Sequence, residues 1–168
     1  MIQSAFAAAL LVAAQASPAQ SCLTRAEASD LALLMLPGFI DGLARSCGPA
    51  LPPTAFLRTG SRALSGRIRS ESVAAGPRAL TAFAKIADKP MPEGVSDATM
   101  RQLVGEIAAG MAGSAVKQKN CAAADELVAA LSPLPASNLG KVVAVLMEAG
   151  GKSGGSDGAG IRMCTAAR

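Results

Sequence analysis

The first apolar stretch of the chain has no faces. Residues 5–14 read AFAAALLVAA, ten uncharged positions without a polar residue to set a period. A helix needs about 20 such residues to cross a hydrocarbon core of about 30 Å, so this run is too short to span. Ala14-Gln15-Ala16 behind it offers the small residues of a signal-peptidase site, and Ser17-Pro18-Ala19 offers a second. The pattern predicts a secretory leader over residues 1–16, cut after Ala16 or alternatively after Ala19. No Lys or Arg precedes the apolar run, which leaves the α-amino group as its only positive charge. No later run is expected to approach a membrane span.

Beyond the leader the apolar positions recur every three or four residues, the helical period. Thr24 and Glu27 have the spacing of a capping box, followed by Ala28, Leu31 and Met35. Pro37-Gly38 interrupts, and Phe39, Ile40 and Leu43 resume the period up to Cys47-Gly48-Pro49. Phe56, Leu57, Leu64 and Ile68 line one side of a second segment, and Leu80, Phe83 and Ile86 line a third that opens on Gly76-Pro77. After a Pro-rich connector over 89–94, Ser96 or Asp97 can cap a longer helix carrying Met100, Leu103, Val104, Ile107 and Met111. Gly105, Gly110 and Gly113 weaken that helix or let another backbone come close. Residues 121–131 and a helix from Leu139 to Ala149, joined through Pro133 and Pro135, read as an αα-hairpin. A flexible Gly/Ser loop over 150–160 then leads to Cys164. No run of strand length alternates. The expectation is an all-α fold: a small orthogonal or irregular bundle of five to seven helices, in one domain over 22–168, without internal repeats.

Four cysteines, Cys22, Cys47, Cys121 and Cys164, all follow the leader. An even count in an exported chain reads as a disulfide framework. Cys22 also invites a lipid-anchor reading, but Ala19-Gln20-Ser21 before it lacks the expected leucine, and lipidation would strand one of the other three thiols. The expected bonds are Cys22–Cys47, with the chain folding back at Pro37-Gly38, and Cys121–Cys164, with the hairpin and loop bringing the ends together. Were residues 24–46 one straight helix, the first pair would stand over about 30 Å apart and each cysteine would need another partner. Alanine is the commonest residue, and beyond the leader only Phe39, Phe56 and Phe83 are aromatic. Burying alanine recovers little apolar area, so two bonds worth about 3–4 kcal/mol each would carry a large share of the stability.

The chain has no histidine. That removes Ser-His-Asp and Cys-His nucleophile systems, HExxH zinc sites and histidine general bases; no cofactor and no metal is expected. Ser114-Ala115-Val116-Lys117 has the Ser-x-x-Lys spacing of penicillin-recognising enzymes, without their Ser-Asp-Asn and Lys-Thr-Gly elements. Asp125 and Glu126, with Glu148 on the next helix, are carboxylates available in principle for acid–base work on a glycosidic bond. Adjacent helical residues diverge, however, and no Trp or Tyr is present to stack a sugar. Gly151-Lys152-Ser153 resembles the end of a phosphate loop, but Leu146 stands where the first glycine belongs. Asp157 in its Gly/Ser setting is a single copy of a calcium-type repeat, with too few oxygens.

Charge changes the picture more. The net charge is +4, and four arginines, Arg58, Arg62, Arg67 and Arg69, fall within one stretch free of acids. On a continuous helix Arg58, Arg62 and Arg69 share a face. Such a face suits an anionic partner: phospholipid headgroups, lipopolysaccharide or an acidic protein. Nucleic acid fits poorly without interleaved aromatics. The sequence therefore predicts a bacterial periplasmic or secreted protein, a non-enzymatic binding or accessory module of the cell envelope whose contact is Arg58–Arg69. The alternative is a histidine-free hydrolase using Ser114/Lys117 or the three carboxylates.

Overall fold

A computed structural model describes residues 22–87, 92–152 and 162–164. The expected leader with its cleavage sites, and Asp157 with the loop residues 153–161, lie outside the described residues. Within them, one helix organises the rest. Helix α1 (Arg25–Cys47) starts at the expected capping box, in which the Thr24 hydroxyl accepts the Glu27 N–H and the Glu27 carboxylate accepts the Thr24 N–H at 2.8 Å. It runs without interruption through Pro37. Proline there removes one backbone hydrogen bond and crowds the preceding turn, but Pro37, Gly38 and Ile40 are all buried. Packing on several sides holds the helix together where propensity alone would let it break.

Six more helices follow: α2 (Phe56–Thr59), α3 (Ser61–Glu71), α4 (Gly76–Ala87), α5 (Asp97–Ala115), α6 (Cys121–Leu131) and α7 (Ala136–Lys152). The fold is an all-α bundle, and α3, α4, α5 and α7 all lean on α1. Ser96 caps α5 as expected, its hydroxyl accepting the Thr99 N–H. The segment expected as one helix from Phe56 to Arg69 breaks at Gly60, where an added Cβ would stand 2.4 Å from the Phe56 ring. Glycine makes room for that ring. Helix α7 continues to Lys152, three residues into the expected loop.

The α1–α5 contact is the most extensive among the described helices. A Cβ on Gly38 would lie 2.0 Å from the carbonyl oxygen of Gly105, and one on Gly42 would lie 2.3 Å from that of Ala109. Close approach was legible in the glycines of α5. The positions that require glycine are on α1, however, since a Cβ on Gly105 itself meets nothing within 4 Å. Ala108, Ala112, Ala28, Ala82 and Ala144 are fully buried, so the core is built of leucine and alanine between helices in near contact. Phe56 and Phe83 are only partly buried, and Phe39 is 39% exposed.

The disulfides correct the sequence reading. Cys22 pairs with Cys164, and Cys47 with Cys121; neither expected bond, Cys22–Cys47 or Cys121–Cys164, forms. Because Pro37 does not turn the chain back, the 23 residues of α1 hold Cys22 and Cys47 about 34 Å apart at ~1.5 Å per residue. The expected hairpin fails for a related reason. Helix α6 packs on α2, while α7 runs antiparallel along α1: Leu139 packs in one cluster with Leu33 and Ile40, Gly140 lies against the Ser29 carbonyl, and Glu148 pairs with Arg25. The end of α7 is thereby delivered to the start of α1. There β1 (Cys22–Leu23) and β2 (Arg162–Met163) form a short parallel pair, and Cys164 donates its N–H to the Leu23 carbonyl at 2.8 Å. Each disulfide secures one end of α1.

The expectation that no later run approaches a membrane span also needs amending. Arg25–Ala50 is long and apolar enough to cross a membrane by length and composition. In this fold half of its apolar window is buried, with α3, α4, α5 and α7 packed along the helix.

Candidate functional site

The four arginines of the basic stretch do not form a common face. Arg58 lies on α2 and donates to the Leu51 carbonyl at 3.0 Å. Arg67 reaches the turn between α6 and α7, donating to the carbonyls of Leu134 and Ser132 and pairing with Glu71. Arg69 pairs with Asp41 of α1, whose other oxygen accepts the buried Ser65 hydroxyl at 2.7 Å. Only Arg62 makes no such contact among the described residues. Gly60 divides the stretch between α2 and α3, and Arg67 and Arg69 of α3 reach neighbouring elements.

A different cationic surface results. Arg58 and Arg62 line an open groove together with Arg45 of α1 and no acidic residue. Arg45 also stands at the mouth of a deeper cleft of about 400 Å³, walled by α1, the C-terminal end of α3, the start of α4, and α5. Apolar side chains such as Leu34, Pro37, Val73 and Ala79 line the cleft. Its charged members are Asp30, Asp41, Arg45, Arg69, Arg101 and Glu106. Three ion pairs ring it: Arg69–Asp41, Arg78–Asp30 at 2.7 Å and Arg45–Glu106 at 3.8 Å. The hydrogen bond from Arg78 to Asp30 and the Asp30 charge raise the pKa of Arg78 further above its ordinary value, against a smaller effect of burial.

The residues considered for hydrolysis are occupied elsewhere. The Ser114 hydroxyl donates to carbonyls of its own helix, Gly110 and Met111, both at 3.1 Å. Ser114 and Lys117 are exposed and line neither the groove nor the cleft. Asp125 accepts the backbone N–H groups of Leu57 at 2.6 Å and Phe56 at 3.3 Å, closing the start of α2 from α6. Glu148 pairs with Arg25, and Glu126 is exposed. The structure therefore does not gather Asp125, Glu126 and Glu148. Glu71 caps a distant helix in the same way, its carboxylate accepting the Ala136 N–H at 2.8 Å at the start of α7. That backbone bond, opposed by burial and helped by Arg67, holds Glu71 below the ordinary carboxylate range. Among the described residues no three His, Cys, Asp or Glu side chains come together as metal ligands.

Arg45 and Arg101 were missed by sequence reasoning. Arg45 is set apart from Arg25 near the other end of α1 and Arg101 is the single arginine of α5, both in helices dominated by apolar residues, and nothing local marks them. Only the packing of α5 against α1 sets them at one opening. In comparisons with known proteins, no family model, no curated protein and no solved structure matches this chain.

Proposed function

We propose that this chain is an exported, non-enzymatic binding or accessory module of the bacterial cell envelope that engages a phosphate-bearing surface. The observation that carries the reading is the open groove lined by Arg45, Arg58 and Arg62 without an acid, on a chain of net charge +4. Clustered positive charge raises the local concentration of anions and is screened by salt. The contact thus includes two residues of the basic stretch and one from α1, while Arg67 and Arg69 serve the fold. Export is supported by the apolar segment 5–14 and by two disulfides, which persist in oxidising compartments.

Two measurements test this. The intact mass of the protein recovered from an expressing bacterium should lack residues 1–16 and rise by four hydrogens on reduction; retention of the leader or four free thiols refutes export. Co-sedimentation with phosphatidylglycerol vesicles, and separately with lipopolysaccharide, distinguishes the two phosphate sources. Retention should be strong at low ionic strength and lost at about 1 M salt, where charges are screened beyond about 3 Å. It should also be lost in the Arg45→Gln/Arg58→Gln/Arg62→Gln variant but not in Lys141→Ala, a single exposed cation on α7. Salt-independent retention, retention by the triple variant, or none by the wild type overturns the reading.

A further inference from the structure

The charges around the deep cleft do not cancel. Three carboxylates, Asp30, Asp41 and Glu106, are each matched by one guanidinium, from Arg78, Arg69 and Arg45. Arg101 is the fourth guanidinium at this opening. Among the described residues it makes no hydrogen bond and no ion pair, although it is partly buried. An arginine carries five donors in a fixed planar fork, and here they are left to whatever enters the cleft. The side chain passes close over Gly76: a Cβ there would stand 2.7 Å from Arg101 Nη1 and 3.4 Å from its Cδ. It thus lies directly against the backbone at the start of α4, where glycine leaves room for it. Leu34, Pro37 and Ala79 give the cleft apolar lining.

We propose that this cleft binds a small amphiphilic oxyanion, with Arg101 as the seat of its carboxylate or phosphate head and the apolar lining receiving its body. A volume of about 400 Å³ lies within the ordinary range of about 300–1,000 Å³ for small-molecule sites, which are mostly apolar with a few placed polar groups. The guanidinium fork matches both kinds of head in bidentate fashion. The site is separate from the phosphate-surface contact: only Arg45 borders both openings.

Calorimetric titration of the full disulfide-bonded protein with hexanoate, hexyl phosphate, inorganic phosphate and 1-hexanol tests this. At least one of the two hexyl anions should bind, and the ratio of their affinities identifies the preferred head. Hexanol and inorganic phosphate, each lacking half of the ligand, should bind at least about tenfold more weakly than that anion, the scale of one charge-assisted hydrogen bond. Arg101→Gln should weaken the anion by at least the same factor with an unchanged circular dichroism spectrum and melting temperature, since Arg101 supports no other group. Arg101→Lys, keeping charge without the fork, should recover part of the affinity, and Lys141→Gln, at an exposed cation that lines neither opening, should change nothing. Hexanol binding as tightly as the anions, undiminished affinity in Arg101→Gln, or no heat with either hexyl anion overturns the proposal.

Discussion

Replacing Gly38 by alanine tests the central packing of the fold most directly. In isolation the change favours a helix by about 1 kcal/mol. Here the new methyl group would stand 2.0 Å from the Gly105 carbonyl oxygen, 2.7 Å from its carbon and 2.8 Å from its Cα. All three are backbone atoms, so no side chain can swing aside. Even a tight contact of about 3 Å requires α1 and α5 to separate by roughly 1 Å, and a gap of that size forfeits between a quarter and a half of the dispersion energy along the contact. Overpacking of this kind costs about 1–3 kcal/mol or somewhat more, and no other pair of described helices shares so extensive a contact. Taking the upper end of that range, the expected net loss for Gly38→Ala is about 2 kcal/mol after the helix-propensity gain. Gly110→Ala, five residues along the same helix from Gly105 and open to solvent, should instead gain up to about 1 kcal/mol. Urea denaturation monitored by circular dichroism reads both as shifts of midpoint at constant slope. A Gly38→Ala protein as stable as the wild type, or a Gly110→Ala protein that loses as much, would refute a backbone-to-backbone contact of α1 with α5 at Gly38.

Non-reducing peptide mapping should recover Cys22 with Cys164 and Cys47 with Cys121. With the inner bond closed, the outer one completes a ring through 25 residues to Cys47 and 43 from Cys121, so replacing Cys22 and Cys164 by serine should cost about 4 kcal/mol in the chain-entropy treatment, read as a fall in the urea midpoint. Asp125→Ala should destabilise by about 1–2 kcal/mol in the same assay, because two N–H groups at the start of α2 lose their acceptor; a neutral result would show that water replaces it. At Glu27, burial pushes the carboxyl up, but hydrogen bonds from Lys85 and Thr24 and the Lys85 charge outweigh it and leave the pKa below its ordinary 4.5. A lowered carboxyl contributes stability that is present above the unfolded value and disappears as pH falls through the folded one. Melting temperature should therefore decline below about pH 4.5 less steeply in Glu27→Gln than in the wild type, and parallel profiles would refute this.

Local signals were legible where the physics is local. Thr24 and Glu27 are three residues apart, as are Ser96 and Thr99, and each cap formed as its spacing implies. The all-α class follows from the helical period of the apolar residues. What escaped the sequence is contact between distant segments. Pro37 reads as a break because its cost is local, whereas the burial that overcomes the cost comes from α3, α5 and α7. Asp125 reads as a solvated or catalytic carboxylate, yet it caps a helix 68 residues away in sequence; Glu71, which carries no sequence signal, caps one 65 residues away. The basic stretch reads as one face on a continuous helix, whereas Gly60 divides it between α2 and α3. Arg45 and Arg101 gave no signal, since their meeting depends on how closely two glycine-bearing helices approach.

The cysteine pairing bears on how the protein reaches its oxidised state. A thiol oxidase acting on a chain that emerges from its N-terminus meets Cys22 and Cys47 first, and joining them in order of appearance gives the wrong bond. Once α1 has coiled, those thiols stand several times farther apart than the ~7 Å a disulfide tolerates between Cα atoms. The helix, once the later helices have packed around Pro37, is then a spacer that keeps Cys22 from Cys47 and leaves it for Cys164, which α7 delivers beside it. Any chain oxidised before α1 forms needs a disulfide isomerase to recover.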